Sequence, residues 1–264
     1  MNKYFILFLF LLSACDSDSA GEKKDNGVSD KELQLTAAIN RFPDSTILVE
    51  ELAQYYRDNE NYDKAIQTVD NFVTKDSLNG RLWDIKATLH FEDGDTLSAI
   101  RAYERSINLD PQPGVIISLG ALYAQTKNPL ALVMADGLLY ANKAQAEKEA
   151  LFIKGLYYSN LNDRQQAIAF FDKCIMLNYG FMEAYREKAS ALYSMGKYND
   201  ALQVLDRAVT LQNNFDEGYY YMGQNLEKLN RIPEAIEMYN RALMYDPVYI
   251  DAKQALAKLG VKSP

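Results

Sequence analysis

The chain has 264 residues, carries a formal net charge of −8, and is 48% hydrophobic and 24% charged. That apolar share excludes a disordered chain, and two cysteines, Cys15 and Cys174, are too few for a disulfide-stapled scaffold. The acidic balance makes the chain a poor electrostatic partner for nucleic acid, so no nucleic-acid role is expected.

In chain order, Lys3 precedes an apolar run from Tyr4 to Leu12. The run is shorter than the roughly 20 apolar residues a membrane helix requires. A cationic start, a short apolar stretch and small residues after it predict a secretory signal peptide over 1–14. The stretch ends in Leu12-Ser13-Ala14-Cys15, which resembles the bacterial lipobox. The resemblance implies lipidation of Cys15, cleavage before it, and an anchored life in the bacterial cell envelope, with the outer membrane ahead of the inner. Residues 15–29 are polar and lack apolar periodicity, which predicts a flexible tether with a reach of about 20 Å.

From residue 30 onward, Ala, Leu, Glu, Lys and Gln dominate and strand-forming runs are scarce, predicting helices throughout. One pattern recurs every 34 residues. Counting from Thr46, Gly80, Lys148, Met182 and Asp216, position 20 is alanine five times: Ala65, Ala99, Ala167, Ala201 and Ala235. Position 8 is small (Ala53, Ala87, Gly155, Ala189, Gly223), whereas position 24 is large (Val69, Tyr103, Phe171, Leu205, Tyr239). Small residues let paired helices approach, and large ones fill the space beside them. A sixth, irregular copy occupies 113–147. Its first helix is clear in Ile116, Leu119-Gly120 and Tyr123, but its second offers two registers around Ala131, Ala135 and Gly137, which predicts an extended helix and a shortened connection.

This spacing resembles the tetratricopeptide repeat, a helix-turn-helix unit. The resemblance implies an all-α solenoid, a right-handed superhelix. The expected layout is a half repeat at 30–45, repeats at 46–79, 80–112, 113–147, 148–181, 182–215 and 216–249, and a capping helix at 250–260. It also implies a concave groove lined by positions 2, 5, 9, 12 and 13 of each first helix. Those positions hold Glu50, Gln54, Asp84, Thr88 and Phe91 near the N-terminus, Ile117, Ala121, Phe152 and Leu156 centrally, and Arg186, Tyr193, Tyr220 and Gln224 near the C-terminus. The expected floor is acidic at its N-terminal side, apolar in the middle and aromatic-polar at the far side. The Lys and Asn clamp by which some members of the family grip a C-terminal carboxylate is absent.

Catalytic chemistry finds little support. His90 is the only histidine and occupies position 11, a packing position, which largely excludes the common metal and triad arrangements. Cys174 sits at position 27, where an inert core thiol is expected. No phosphate loop or nucleophile elbow is present. The reading is therefore a non-enzymatic, cofactor-free adaptor, anchored through Cys15, that binds another envelope protein or peptide. The alternative is a lipoprotein binding a solute or glycan in the same groove.

Overall fold

The computed structural model describes residues 29–262, so the expected signal peptide, Cys15 and the tether as far as residue 28 lie outside the described residues. Among the described residues every regular element is a helix. The chain divides into two compact units between Leu119 and Gly120.

The first unit holds α1 (Asp30–Arg41), α2 (Thr46–Asp58), α3 (Tyr62–Val73), α4 (Gly80–Glu92), α5 (Thr96–Leu109) and the start of α6 (Pro113–Gln125). Ser29, assigned to the tether from sequence, is the N-cap of α1: its hydroxyl accepts from the Glu32 amide at 3.2 Å and lies 2.6 Å from the Tyr55 hydroxyl. Asn61, Asn79 and Asp95 cap α3, α4 and α5 in the same way, satisfying amides that the first turn leaves without partners. Leu35, Val49, Ala53, Tyr56, Ala65, Val69 and Leu82 form the core.

The second unit holds the end of α6, then α7 (Leu130–Asn160), α8 (Arg164–Leu177), α9 (Met182–Ser194), α10 (Tyr198–Leu211), α11 (Asp216–Lys228), α12 (Ile232–Tyr245) and α13 (Ile250–Lys258). Its main core joins Cys174, Tyr185, Ala208, Tyr219, Tyr239 and Leu256.

The expected break at residue 147 does not occur. The connection is absent rather than short, because α7 runs unbroken for 31 residues and supplies both the second helix of the irregular copy and the first helix of the next. The physical reason lies in Ala141 to Glu147, a stretch with no glycine or proline in which every residue but Asn142 is a good helix former. Three of the five corresponding connections after the other full repeats carry Gly180, Pro111 or Pro247. Among the described residues no helix is long and apolar enough to cross a membrane.

Two features repeat in step. The turn between first and second helices places one residue at positive φ in each copy: Glu60, Gly94, Lys127, Asn162, Gly196 and Asn230, all at position 15. The irregular copy keeps this turn, with Lys127 at φ 59. The small residue at position 8 faces the large one at position 24. A Cβ added at Gly155 would lie 2.5 Å from the Phe171 ring, and one at Gly223 would lie 2.5 Å from the Tyr239 ring.

Candidate functional site

First helices of successive repeats approach one another within each unit: α2 with α4, α7 with α9, and α9 with α11. This creates a recurring slot, in which the fifth residue of one first helix faces the second residue of the next. In the first unit, Arg81 reaches back from α4 to Glu50 of α2 at 3.1 Å and sits 3.4 Å from Asp84. In the second unit the polarity is reversed: Arg186 reaches forward from α9 to Glu217 of α11 at 2.8 Å.

Solvent separates these pairs. The Arg81 side chain is 62% exposed and that of Arg186 only 9%. Arg186 also pairs with Glu187 at 3.3 Å. Burial opposes its charge, but the two carboxylates outweigh burial and hold the guanidinium pKa above its ordinary value. Burial pushes the Glu187 carboxyl above the usual carboxylate value against the pull of Arg186.

The acidic N-terminal floor expected from sequence is corrected here. Glu50 and Asp84 share Arg81, and Glu92 takes a bidentate grip from Arg57, with Nε to Oε2 at 2.6 Å. Thr88 donates to the Asp84 carbonyl at 3.1 Å and lies 3.1 Å from the Tyr103 hydroxyl. Gln54 is exposed and bonds Asp58 on its own helix. Phe91 and Ile117 are half-buried.

In the second unit, Ala121 and Leu156 are buried and have little surface to offer a ligand. Phe152 is half-buried and packs against Phe181, ring centroids 4.9 Å apart, with the Lys148 ammonium 4.8 Å from the Phe181 ring centre. Tyr220 packs against Tyr249 at 5.1 Å, and its hydroxyl accepts from Gln224 at 2.7 Å. Tyr193 lies beside Tyr198 at 5.4 Å, with Lys228 over its ring at 5.9 Å.

Sequence reasoning overlooked Phe181 and Tyr249. Both immediately precede a first helix, at position 34, and Phe215 occupies the same place between them. It also overlooked position 2, which is acidic in all four first helices of the second unit: Glu149, Glu183, Glu217 and Asp251. In the first unit that position holds Ile47, Arg81 and Gly114. The 34-residue spacing that located the alanines would have located both series.

The two residues screened for chemistry have structural places. Cys174 is fully buried, its Sγ lies 3.5 Å from the Lys148 carbonyl, and burial pushes its thiol up to about 12. His90 is half-buried, with Nδ1 3.9 Å from Asp95, and burial together with Lys86 lowers its pKa. Among the described residues no group of three or more His, Cys, Asp or Glu is placed to hold a metal ion.

Comparison with known proteins agrees with this geometry. The tetratricopeptide repeat family matches at residues 34–114, 148–180 and 192–259, together more than half of the chain. A tetratricopeptide repeat protein from Parabacteroides merdae has a TM-score of 0.73 at 19% identity, over 86% of this chain and 90% of that one. PilW, a type IV pilus biogenesis factor, has a TM-score of 0.62 at 15% identity, over 80% of this chain and 99% of its own. FlbA of Caulobacter vibrioides is 26% identical over 177 residues, and the match spans only 30% of its length. With the repeated hairpins, the left-handed turn at position 15 and these matches, the chain belongs to the tetratricopeptide repeat family and has its all-α solenoid fold.

Proposed function

We propose that the chain is a lipid-anchored adaptor of the bacterial cell envelope that holds a partner protein or peptide against the first-helix face of its second unit. Tetratricopeptide repeats form protein–protein interaction scaffolds, and the family assignment supports that general role. The observation that carries the choice of face is the pair of half-buried aromatic platforms, Phe152 with Phe181 and Tyr220 with Tyr249, two repeats apart on the same run of first helices. Rings that keep part of their surface in water, beside polar groups such as Gln224, are the side chains that dominate partner recognition. Among the described residues the first unit has no equivalent, since ion pairs stand at its corresponding positions.

The anchor is read from Lys3, the Tyr4–Leu12 run and Leu12-Ser13-Ala14-Cys15. More than one acyl chain is needed for stable attachment, which lipid modification at a processed cysteine supplies. Metabolic labelling with an alkyne fatty acid should mark the chain, and Cys15→Ser should abolish both the label and sedimentation with membranes. Retention of the label in that variant would rule out the anchor. For the docking face, affinity capture from solubilised membranes should return a discrete partner that is lost from the Phe152→Ala, Tyr220→Ala double variant. Undiminished capture by the double variant would overturn the assignment.

A further inference from the structure

The slots between successive first helices of the second unit hold equivalent repeat positions, yet they are filled differently. Between α9 and α11 the fifth residue, Arg186, is a cation that meets the carboxylate of Glu217. Between α7 and α9 the fifth residue is Phe152 and the second is Glu183, and Lys148 stands beside the aromatic pair, 4.8 Å from the Phe181 ring centre and 3.1 Å from Glu149. Each of these slots thus has a cation from the chain beside its carboxylate or its aromatic pair, although Lys148 pairs with Glu149 and, among the described residues, Glu183 has no ion pair. Between α11 and α13 the fifth residue is Tyr220 and the second is Asp251. Tyr249 packs on Tyr220 with its ring inclined by 47°. Among the described residues Asp251 has no ion-pair partner: Lys253 and Lys258 on its own helix make none, and Lys228 sits over Tyr193. Asp251 acts on the pair nonetheless. After burial itself, its charge is the next largest influence raising the Tyr220 hydroxyl to about 12.

We propose that this third slot receives a Lys or Arg side chain from the partner, held between the Asp251 carboxylate and the faces of Tyr220 and Tyr249. The proposal rests on the reading of this face as the docking surface. A cation there gains both a charge-assisted bond and attraction to the ring faces. Other occupants fare worse. An apolar side chain would strip water from Asp251 without replacing it, and an acidic one would meet Asp251 and Glu227, the two carboxylates whose charges act on Tyr220. Arg186, one repeat earlier, shows how a guanidinium sits against the equivalent carboxylate.

The test uses the full chain and a phage-displayed library of random dodecapeptides. Panning should enrich peptides with Lys or Arg at one fixed place relative to an apolar or aromatic anchor. Such a peptide should bind Asp251→Asn about tenfold more weakly. Exchanging the charges, with Asp251→Lys in the protein and Glu for the basic residue in the peptide, should restore much of the loss. Asp251 is exposed, so neither substitution threatens the fold. Peptides that bind Asp251→Asn as well as the parent, but fail on Phe152→Ala, would overturn the slot and leave the docking face standing. Peptides indifferent to both substitutions, or no enrichment at all, would overturn both.

Discussion

The two units solve one packing problem with opposite electrostatics. In the first, the cation occupies the second residue of α4 and its carboxylates lie at fifth residues, with Arg81 largely in water. In the second, the cation occupies the fifth residue of α9, is almost sealed from solvent, and shares itself between Glu187 and Glu217. A solvated pair contributes little to stability because water and salt screen it. A sealed guanidinium is different, since removing it strands Glu187, whose side chain keeps only 18% of its exposure. Similar contacts therefore hold surface together in one unit and set the internal charge order of a candidate binding face in the other.

That contrast can be broken most forcefully at the arginines. Arg186→Met should cost roughly 2–4 kcal/mol, because it leaves the mostly buried Glu187 without its cation. Arg81→Met should cost under about 1 kcal/mol. Equal losses in chemical denaturation would refute the distinction. Next in size is the close approach at position 8. Gly223→Ala drives a methyl to within 2.5 Å of the fully buried Tyr239 ring and should cost roughly 1–3 kcal/mol, despite the helix preference of alanine. Ala87→Gly, the reciprocal change in the first unit, should cost roughly 1–2 kcal/mol through backbone freedom and the loss of one buried methyl. Unchanged melting for Gly223→Ala would mean that the helices of the second unit are not in such close contact.

Smaller still are the left-handed turns, where the units should behave alike. Glu60→Gly and Lys127→Gly each relieve a non-glycine residue at positive φ and should stabilise by about 1 kcal/mol. A gain at Glu60 without one at Lys127 would set the irregular copy apart from the others. The smallest effect belongs to His90, whose pKa is lower in the fold than in the open chain. Protonation then favours the unfolded state. Its contribution is intact above about pH 6.5 and is lost as pH falls below that value. Melting curves at pH 7.5 and 5.5 should show a steeper loss for the parent than for His90→Gln, and parallel curves would contradict this.

How much was visible in the sequence depended on what kind of force was at work. Close packing leaves a strict residue record, so the alanines at position 20 and the glycines opposite Phe171 and Tyr239 carried the helical repeat in plain view. The absence of a breaker from Ala141 to Glu147 was equally visible, but it was read as a short connection because every neighbouring copy has one. Charge was harder. Glu50 and Asp84 looked like an acidic floor because their neutralising cation, Arg81, sits at a position whose partners lie 31 residues away or one turn along. Arg186 looked like a free groove contact for the same reason. Individual side-chain pairing between repeats depends on which rotamer reaches which neighbour, and the 34-residue period does not encode it. The aromatic series Phe181, Phe215 and Tyr249 was within reach of that period, and only the focus on first-helix positions hid it.

The docking face can be tested directly by placing a photo-crosslinking amino acid at Ser190, one turn beyond Arg186 on α9, and separately at Gln203, exposed on α10. Irradiation of cells carrying each full-length variant should yield a discrete higher-mass adduct from position 190 and none from position 203. An adduct from position 203 with none from position 190 would place the partner on the second helices and contradict the account.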